Sequence, residues 1–363
     1  MKQLMNGNSA AAEAAVRAGC RCYFGYPITP QNELGEYMAR RLAEVPDGVF
    51  IQSESEIAAI NMVLGASVAG ARAMTSSSSP GMSLKQEGIS YLAADELPAV
   101  IVNMVRGGPG MGNISPSQSD YLQATRGGGH GGYRTIVLAP ASVQELADLM
   151  PLAFDLADKY RNPVVVLGDG MLGQMMEPVT FPEDQPPRPE YPKDYILTGA
   201  KGRPSRMVRS LLFDTKLEED HNWKLFRKYQ LIEQKEVRYE TYLVDDADMV
   251  VVAYGMGARI VRGAIKRLRQ EGLKVGLLRP ITLWPFPAEI MKEIAKQVPD
   301  FFVFEMSTGQ MLEDVRLALS GKGHIHFYGR PGGVIPTPVE LFRIISRHYY
   351  QSRNQKSQPT RTV

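Results

Sequence analysis

The residues best suited to chemistry lie in the first third of the chain, and the first of them is Thr29. It belongs to the turn Gly25-Tyr26-Pro27-Ile28-Thr29-Pro30, which follows the apolar run Cys22-Tyr23-Phe24. Pro27 and Pro30 push the residues before them toward extended conformations. The Thr29 hydroxyl is therefore expected at the mouth of a strand, where it either satisfies the local backbone or binds a ligand.

Two acids, Glu54 and Glu56, precede a run of small and apolar residues from 57 to 71 that we predict to be a buried helix. A carboxylate at the N-terminus of a helix is stabilised by the helix dipole. From the residues alone, Glu56 is explained equally well as a helix-capping acid and as a catalytic acid. Glu54 competes with it for the catalytic role.

A basic residue, Arg106, follows the apolar run Ala99-Val100-Ile101-Val102-Asn103-Met104 and opens the loop Gly107-Gly108-Pro109-Gly110. A guanidinium presents its donors in a fixed fork and suits a carboxylate ligand better than an ammonium does. The neighbouring glycines let the backbone approach a ligand closely. The alternative is a structural arginine that holds the loop in place.

Two further loops are rich in hydroxyls or in glycine. Ser76-Ser77-Ser78-Ser79-Pro80-Gly81 is either a phosphate cradle or a series of helix caps. The loop from Gly127 to Gly132 is flexible enough to be a lid, and it carries His130, which is either an acid–base group or a plain loop histidine.

The composition excludes several classes of protein. The net charge is +2 and no basic stripe with interleaved aromatic residues occurs, which argues against nucleic acid as a partner. No apolar run is long enough to span a bilayer, so no membrane is expected. The two cysteines, Cys20 and Cys22, are fewer than the roughly four thiolates that an iron–sulfur cluster takes. The absence of an export signal and of a disulfide framework predicts a cytoplasmic protein.

The elements that must position these residues follow an α/β pattern. Apolar strands alternate with helices up to about residue 178, which predicts a parallel sheet covered on both faces. A proline-rich linker and a charged amphipathic helix, at 217–243, fill residues 179–246. A second α/β pattern occupies 247–350, and a polar tail that we expect to be disordered occupies 351–363. The predicted strands are 22–24, 49–51, 73–75, 99–104, 135–138, 163–167, 249–253, 274–278, 301–305 and 325–328.

From Gly7 to about Arg347 the chain resembles the α-type subunits of 2-oxoacid:ferredoxin oxidoreductases. The resemblance is carried by Tyr26-Pro27-Ile28-Thr29-Pro30, Glu54-Ser55-Glu56, Thr75-Ser76-Ser77-Ser78-Ser79-Pro80-Gly81, Arg106-Gly107-Gly108-Pro109-Gly110, Gly127-Gly128-Gly129-His130-Gly131 and Pro280-Ile281-Thr282-Leu283-Trp284-Pro285-Phe286-Pro287. It implies a thiamine-pyrimidine-binding parallel-sheet domain at 1–178, followed at 247–350 by an α/β domain like the C-terminal domain of transketolase.

The resemblance also implies roles for individual residues. Glu56 is implied to be the carboxyl beside the aminopyrimidine of thiamine diphosphate. The implied cofactor-binding residues further include Tyr26, Pro27, Ile28, Ser78 and Ser79. Thr29 and Arg106 are implied to bind the substrate, with His130 as a weaker candidate.

The implied reaction is the oxidative decarboxylation of a 2-oxoacid to acyl-CoA and CO2 with electrons passing to ferredoxin, in anaerobic metabolism. Thiamine diphosphate is then shared with a β-type subunit, which holds Mg2+ together with the diphosphate. A ferredoxin-like subunit holds 4Fe-4S clusters, a γ-type subunit completes the hetero-oligomer, and coenzyme A and external ferredoxin are co-substrates.

The substrate favoured by the resemblance is 3-methyl-2-oxobutanoate, with 2-oxoglutarate next. A dicarboxylate requires a second cation, for which Lys85 and Arg126 are candidates. The alternatives are a β-type subunit of a thiamine-dependent 2-oxoacid dehydrogenase and a non-catalytic scaffold of the same fold.

Two motifs are set aside. Gly168-Asp169-Gly170 is similar to the start of the metal–diphosphate motif of thiamine enzymes, but the chain runs into the linker where that motif continues. Gly255-Met256-Gly257 begins like a dinucleotide-binding loop, but Ile260 stands in place of its third glycine, so we predict a plain strand-to-helix turn.

Overall fold

Strands and helices alternate along nearly the whole chain in the computed structural model, which describes residues 2–182 and 190–356. The strands are β1 (Lys2–Asn6), β2 (Cys22–Gly25), β3 (Val49–Gln52), β4 (Ala73–Ser77), β5 (Ala99–Val105), β6 (Ile136–Leu138), β7 (Pro163–Asp169), β8 (Met176–Thr180), β9 (Tyr239–Tyr242), β10 (Met249–Val252), β11 (Val275–Pro280), β12 (Thr282–Trp284), β13 (Asp300–Glu305) and β14 (His324–Gly329). The helices are α1 (Gly7–Arg17), α2 (Asn32–Leu42), α3 (Glu56–Val68), α4 (Ser79–Ala94), α5 (Tyr121–Arg126), α6 (Val143–Tyr160), α7 (Gly170–Gln174), α8 (Thr215–Lys235), α9 (Gly255–Gln270), α10 (Ala288–Ala295), α11 (Gln310–Leu319) and α12 (Pro338–Lys356). The α/β class and the predicted strands are confirmed.

The first sheet has the strand order β12-β6-β7-β5-β4-β2-β3, and all of its pairs are parallel except β12 with β6. Every residue of β5 and β7 is buried, as expected for apolar strands covered on both faces. One group of helices packs α1 against α2 and α6, and another packs α3 against α4. The carboxyl ends of β2, β4 and β5 lead into the segments that carry the candidate residues.

The second sheet has the strand order β14-β13-β10-β11-β9, in which only β9 is antiparallel to its neighbour. The charged helix predicted for 217–243 ends earlier, since α8 stops at Lys235. Tyr239–Tyr242 then form β9, for which their aromatic and β-branched side chains are well suited. The prediction was wrong here because the helical spacing of aromatics continues by chance into the strand.

A short strand from the second half of the chain completes the first sheet. Thr282 pairs with Leu138 and Trp284 with Val137, so β12 covers the outer edge of β6. This strand was not predicted, because a run of three residues is too short to show a periodic pattern. The ring of Trp284 meets Tyr229 of α8 edge to face, at 5.9 Å between centroids.

Two more differences concern the ends of the chain. β1 and β8 form an unpredicted antiparallel pair, with Lys2 opposite Thr180 and Asn6 opposite Met176. α12 continues to Lys356, so the first six residues of the predicted disordered tail are helical. The rest of that tail, 357–363, and residues 183–189 of the proline-rich linker lie outside the described residues.

Candidate active site

Glu56 is the first residue of α3 and is buried, with 6% of its surface exposed. The helix is capped by the residue before it, because the Ser55 hydroxyl accepts a hydrogen bond from Ala58 N at 3.2 Å. Within the described residues, no hydrogen bond reaches the carboxylate oxygens of Glu56. Glu54 is exposed in the preceding loop. Of the two acids, Glu56 is therefore the buried one, and its carboxylate does not serve as the helix cap.

The Glu56 carboxylate packs against the beginning of α4. A Cβ at Gly81 would lie 2.5 Å from Glu56 Oε1 and 2.2 Å from Ser77 Oγ, so only glycine leaves room for both side chains. The hydroxyls of Ser77 and Ser78 are buried and have no partner among the described residues. Buried hydroxyls are nearly always hydrogen-bonded, so such a pair marks a place for a ligand or water.

Lys85 is the cation next to Glu56, one helical turn beyond Gly81. It is fully buried, and its Nζ donates to Thr75 Oγ1 at 3.1 Å and, at 3.5 Å, to the main-chain oxygen of Glu56. Burial lowers the pKa of Lys85 to about 8, against the opposing effect of the nearby Glu56 charge. The sequence offered Lys85 only as a second cation for a dicarboxylate. The sequence signal that could have placed it beside Glu56 is its spacing of one helical turn from Gly81.

Arg106 follows β5 and connects two loops. Its guanidinium donates from Nη1 to the Thr29 oxygen at 3.0 Å and from Nη2 to the Met111 oxygen at 3.3 Å. Its main-chain N donates to Ser79 Oγ at 3.1 Å. These contacts agree with the alternative interpretation of Arg106 as a structural arginine that holds the loop in place. Its Nε is buried without a partner among the described residues, so at least one of its five N–H donors remains for a ligand.

Thr29 is brought next to Arg106 by the turn that follows β2. Its main-chain oxygen is occupied by Arg106, whereas its exposed side chain makes no hydrogen bond within the described residues. Tyr26 and Pro27 are also exposed, and Ile28 is half-buried. The turn thus leaves the Thr29 hydroxyl unused by the local backbone among the described residues, while the Thr29 main chain lies against the guanidinium.

His130 lies apart from this group. Its Nδ1 is 3.4 Å from Ser90 Oγ, and its ring meets the edge of Tyr91. Ser90 is nine residues beyond Gly81 on α4, which corresponds to about 14 Å along a helix. His130 lines a different cavity of about 520 Å³, between α4 and α8. The structure therefore does not bring His130 together with Glu56, Thr29 and Arg106.

The two motifs set aside have structural roles. Asp169 caps α7, since its Oδ1 accepts hydrogen bonds from Met171 N at 2.9 Å and Leu172 N at 3.0 Å, and burial raises the pKa of Asp169 to about 6. The turn at Gly255 packs against Gln118, whose Nε2 donates to Tyr254 O at 3.0 Å.

In residues 2–182 and 190–356, no group of three or more His, Cys, Asp or Glu side chains is arranged to hold a metal ion. Both cysteines are buried. None of the helices in that part of the chain combines the length and apolar character needed to cross a membrane.

Comparison with known families matches most of the chain. Residues 13–241 match the family described as "Pyruvate flavodoxin/ferredoxin oxidoreductase, thiamine diP-bdg". Residues 247–341 match "Pyruvate:ferredoxin oxidoreductase core domain II". The first match ends within β9 and the second begins two residues before β10.

Two curated relatives match nearly end to end. "Ketoisovalerate oxidoreductase subunit VorB" of Methanothermobacter thermautotrophicus is 53% identical over 346 residues, which cover 95% of this chain and 96% of the relative. "2-oxoglutarate synthase subunit KorA" of Methanocaldococcus jannaschii is 38% identical, over 94% of this chain and 99% of the relative.

Two solved structures have a similar fold. The 2-oxoglutarate:ferredoxin oxidoreductase of Magnetococcus marinus, solved with 2-oxoglutarate, coenzyme A and succinyl-CoA bound, superposes with a TM-score of 0.85 at 29% identity, over 96% of this chain and 65% of that longer chain. An inactive tetramer of a split-gene transketolase gives a TM-score of 0.57 at 13% identity over 95% of this chain and 98% of that one, a likeness of fold alone.

Proposed function

Because this chain belongs to the family of α-type 2-oxoacid:ferredoxin oxidoreductase subunits, we propose that it forms the aminopyrimidine side of a thiamine diphosphate site that oxidises a branched 2-oxoacid. The reaction is oxidative decarboxylation to acyl-CoA and CO2, with electrons passing to ferredoxin. The observation that supports this choice of substrate is the nearly end-to-end match, at 53% identity, to a ketoisovalerate oxidoreductase subunit. Ketoisovalerate is 3-methyl-2-oxobutanoate.

The polar group around Glu56 suits the aminopyrimidine ring. When bound, thiamine diphosphate supplies the carbanion-stabilising chemistry of decarboxylation. Glu56 shares a proton with a ring nitrogen of the pyrimidine, a role that its buried carboxylate supports because no donor among the described residues reaches it. Ser77 and Ser78 offer two hydroxyls that have no partner among the described residues, and Gly81 leaves the space. Tyr26, Pro27 and Ile28 lie in the turn after β2, and Ser79 begins α4 directly after Ser77 and Ser78.

Thr29 and Arg106 bind the carboxylate and carbonyl of the 2-oxoacid. The hydroxyl of Thr29 and the Nε–H of Arg106 are both without partners in the described part of the chain, and Arg106 reaches across to the Thr29 turn. The contacts with the Thr29 and Met111 oxygens hold the guanidinium in one orientation, so less conformational freedom is lost when substrate binds. His130 is not included in this site.

The surroundings favour a monocarboxylate over 2-oxoglutarate. Of the two cations that were candidates for a second carboxylate, Lys85 is fully buried against Thr75 and Glu56. Arg126 forms an ion pair with Asp314. Lys85 is therefore held at Glu56, and Asp314 neutralises the charge of Arg126, so neither supplies the uncompensated cation that a second carboxylate favours.

The remaining components belong to partner subunits. We propose that a β-type subunit holds the diphosphate and Mg2+, that a ferredoxin-like subunit holds 4Fe-4S clusters, and that a γ-type subunit completes the complex. Two buried cysteines and no arranged metal ligands in the described residues support this division. Coenzyme A receives the acyl group, external ferredoxin receives the electrons, and the complex is cytoplasmic.

The test is anaerobic turnover by the complex of this chain with its co-purifying subunits. The assay contains thiamine diphosphate, Mg2+, coenzyme A and a one-electron dye, and compares 3-methyl-2-oxobutanoate, 2-oxoglutarate and pyruvate. We expect dye reduction with kcat/KM highest for 3-methyl-2-oxobutanoate by about tenfold or more. Highest activity with 2-oxoglutarate would contradict 3-methyl-2-oxobutanoate as the proposed substrate. Transfer to lipoamide without dye reduction would indicate a dehydrogenase subunit, and no turnover by a complex with bound cofactor and clusters would indicate a scaffold.

A further inference from the structure

We propose that Lys85 is a positioning residue that fixes the first turn of α3 and supplies the positive charge beside the Glu56 carboxyl. The inference rests on the proposed role of Glu56, and it adds a residue that neither the family match nor the relatives identify. It follows from where one buried ammonium lies and from what it contacts.

The contacts of Lys85 join three elements at one point. Its Nζ, on α4, bonds to Thr75 Oγ1 of β4 at 3.1 Å and approaches the main-chain oxygen of Glu56, on α3, at 3.5 Å. The same α4 presents Gly81 to the Glu56 carboxylate one turn earlier. One helix therefore holds both the backbone and the side chain of Glu56, and a shift of α4 moves the carboxyl.

The charge of Lys85 acts on Glu56 in surroundings that screen it poorly. Glu56 is the only charged group described as acting on Lys85, and the facing positions Thr75, Ser76 and Ser77 on β4 are uncharged. A cation near a carboxyl favours its ionised form. The charge of Lys85 therefore adds to its hydrogen bonds in holding Glu56 against α4.

Packing alone does not require a lysine at position 85. Desolvating an ammonium is costly, and an unbranched apolar side chain of similar length often replaces a buried ion without loss of stability. A methionine would fill the same space between α3 and β4. A lysine at this position is thus better explained by the Glu56 site than by stability.

The experiment compares Lys85→Met and Lys85→Gln with the matched control Lys228→Met in the purified complex. Lys228, on α8, has a side chain that is only 11% exposed; burial lowers its pKa to about 8, and its ammonium lies 3.6 Å from a carboxylate oxygen of Glu96. Lys85→Gln retains a donor for Thr75 without the charge. The measurements are kcat and KM against pH, the melting temperature, and the Kd of thiamine diphosphate against pH by calorimetry.

Both Lys85 variants should lower kcat about tenfold or more, with little change in KM, and should move the acid limb of the kcat profile up by about one pH unit. Their melting temperature should not fall below that of Lys228→Met, whose profile should match the unmodified complex. An unshifted profile of kcat against pH would overturn the proposal. So would a loss of kcat that only follows a loss of thermal stability.

A binding readout separates this inference from the proposed function. Lys85→Met should change the pH dependence of the thiamine diphosphate Kd when Glu56 is present, and should not change it further in a Glu56→Gln background. The same change in both backgrounds would overturn the inference. A complex that binds thiamine diphosphate and shows this Glu56-dependent effect of Lys85→Met on the Kd, but does not turn over, would instead refute the proposed function alone.

Discussion

Gly81 lies so close to Glu56 that a methyl group at position 81 would be 2.5 Å from the Glu56 Oε1 atom. Gly81→Ala should therefore displace the carboxylate and lower kcat about tenfold to a hundredfold, since small misplacements of a catalytic group are costly. The measurement is steady-state turnover with a parallel melting curve.

The matched control for Gly81→Ala is Gly65→Ala in α3. A Cβ at Gly65 meets nothing within 4 Å, so this variant should leave turnover unchanged and stabilise the helix by about 0.5–1 kcal/mol. Equal losses in the two variants would mean that glycine matters for the helices and not for the carboxylate.

Glu56 and Glu54 form a second matched pair. Glu56→Gln should reduce turnover to background, because an amide cannot exchange a proton with the pyrimidine, while subunits and clusters remain assembled. Glu54→Gln, at an exposed loop position, should retain full activity. Full turnover by the Glu56 variant, or loss only in the Glu54 variant, would reverse the assignment.

The exposed hydroxyl of Thr29 should affect substrate binding alone. Thr29→Val keeps the shape of the side chain and should raise KM for 3-methyl-2-oxobutanoate about tenfold, the usual effect of losing one hydrogen bond to a charged group. Thr29→Ser should restore it. The Kd of thiamine diphosphate and the melting temperature should not change, and a fall in either would show that the hydroxyl supports the turn.

Asp169 should lower the stability of the protein as the pH rises. Its pKa is raised from 3.8 to about 6 by burial, so the folded chain binds this proton more tightly than the unfolded chain does. Stability from this group is therefore greatest at low pH and is lost as the pH rises from about 4 to about 6. Asn also caps helices well, so Asp169→Asn should stabilise the protein by about 2 kcal/mol at neutral pH.

Calorimetry at about pH 5 and about pH 7.5, on the two sides of this raised pKa, checks the sign of the Asp169 effect. The gain in melting temperature for Asp169→Asn should be larger at the higher pH. A gain independent of pH would show that Asp169 does not titrate in this range, and a loss of bound metal would point to a ligand role in place of the cap.

The sequence predicted the elements whose signals are continuous. β5 and β7 are unbroken apolar runs between helices, and their order and burial follow from that pattern alone. Glu56 and Glu54 could not be separated in this way, because both precede the same helix and only burial distinguishes them. The family resemblance already favoured Glu56.

Other features depend on contacts between distant segments. Lys85 looks like an ordinary exposed helix lysine until α3 and β4 are packed against it. The position of His130 depends on how far along α4 its loop lies, which no local pattern records. The short strand Thr282–Trp284 exists only because a sheet edge, from residues about 145 positions earlier, lies beside it.

That strand also limits how the chain can be divided. A fragment ending at the proline-rich linker would leave the outer edge of Ile136–Leu138 without its antiparallel partner, although these residues are fully buried in the intact chain. Unpaired apolar edges recruit strands from other molecules. The part of the chain before the linker is therefore expected to aggregate when it is expressed alone. The two halves of the chain depend on each other for a complete sheet and are not separable domains.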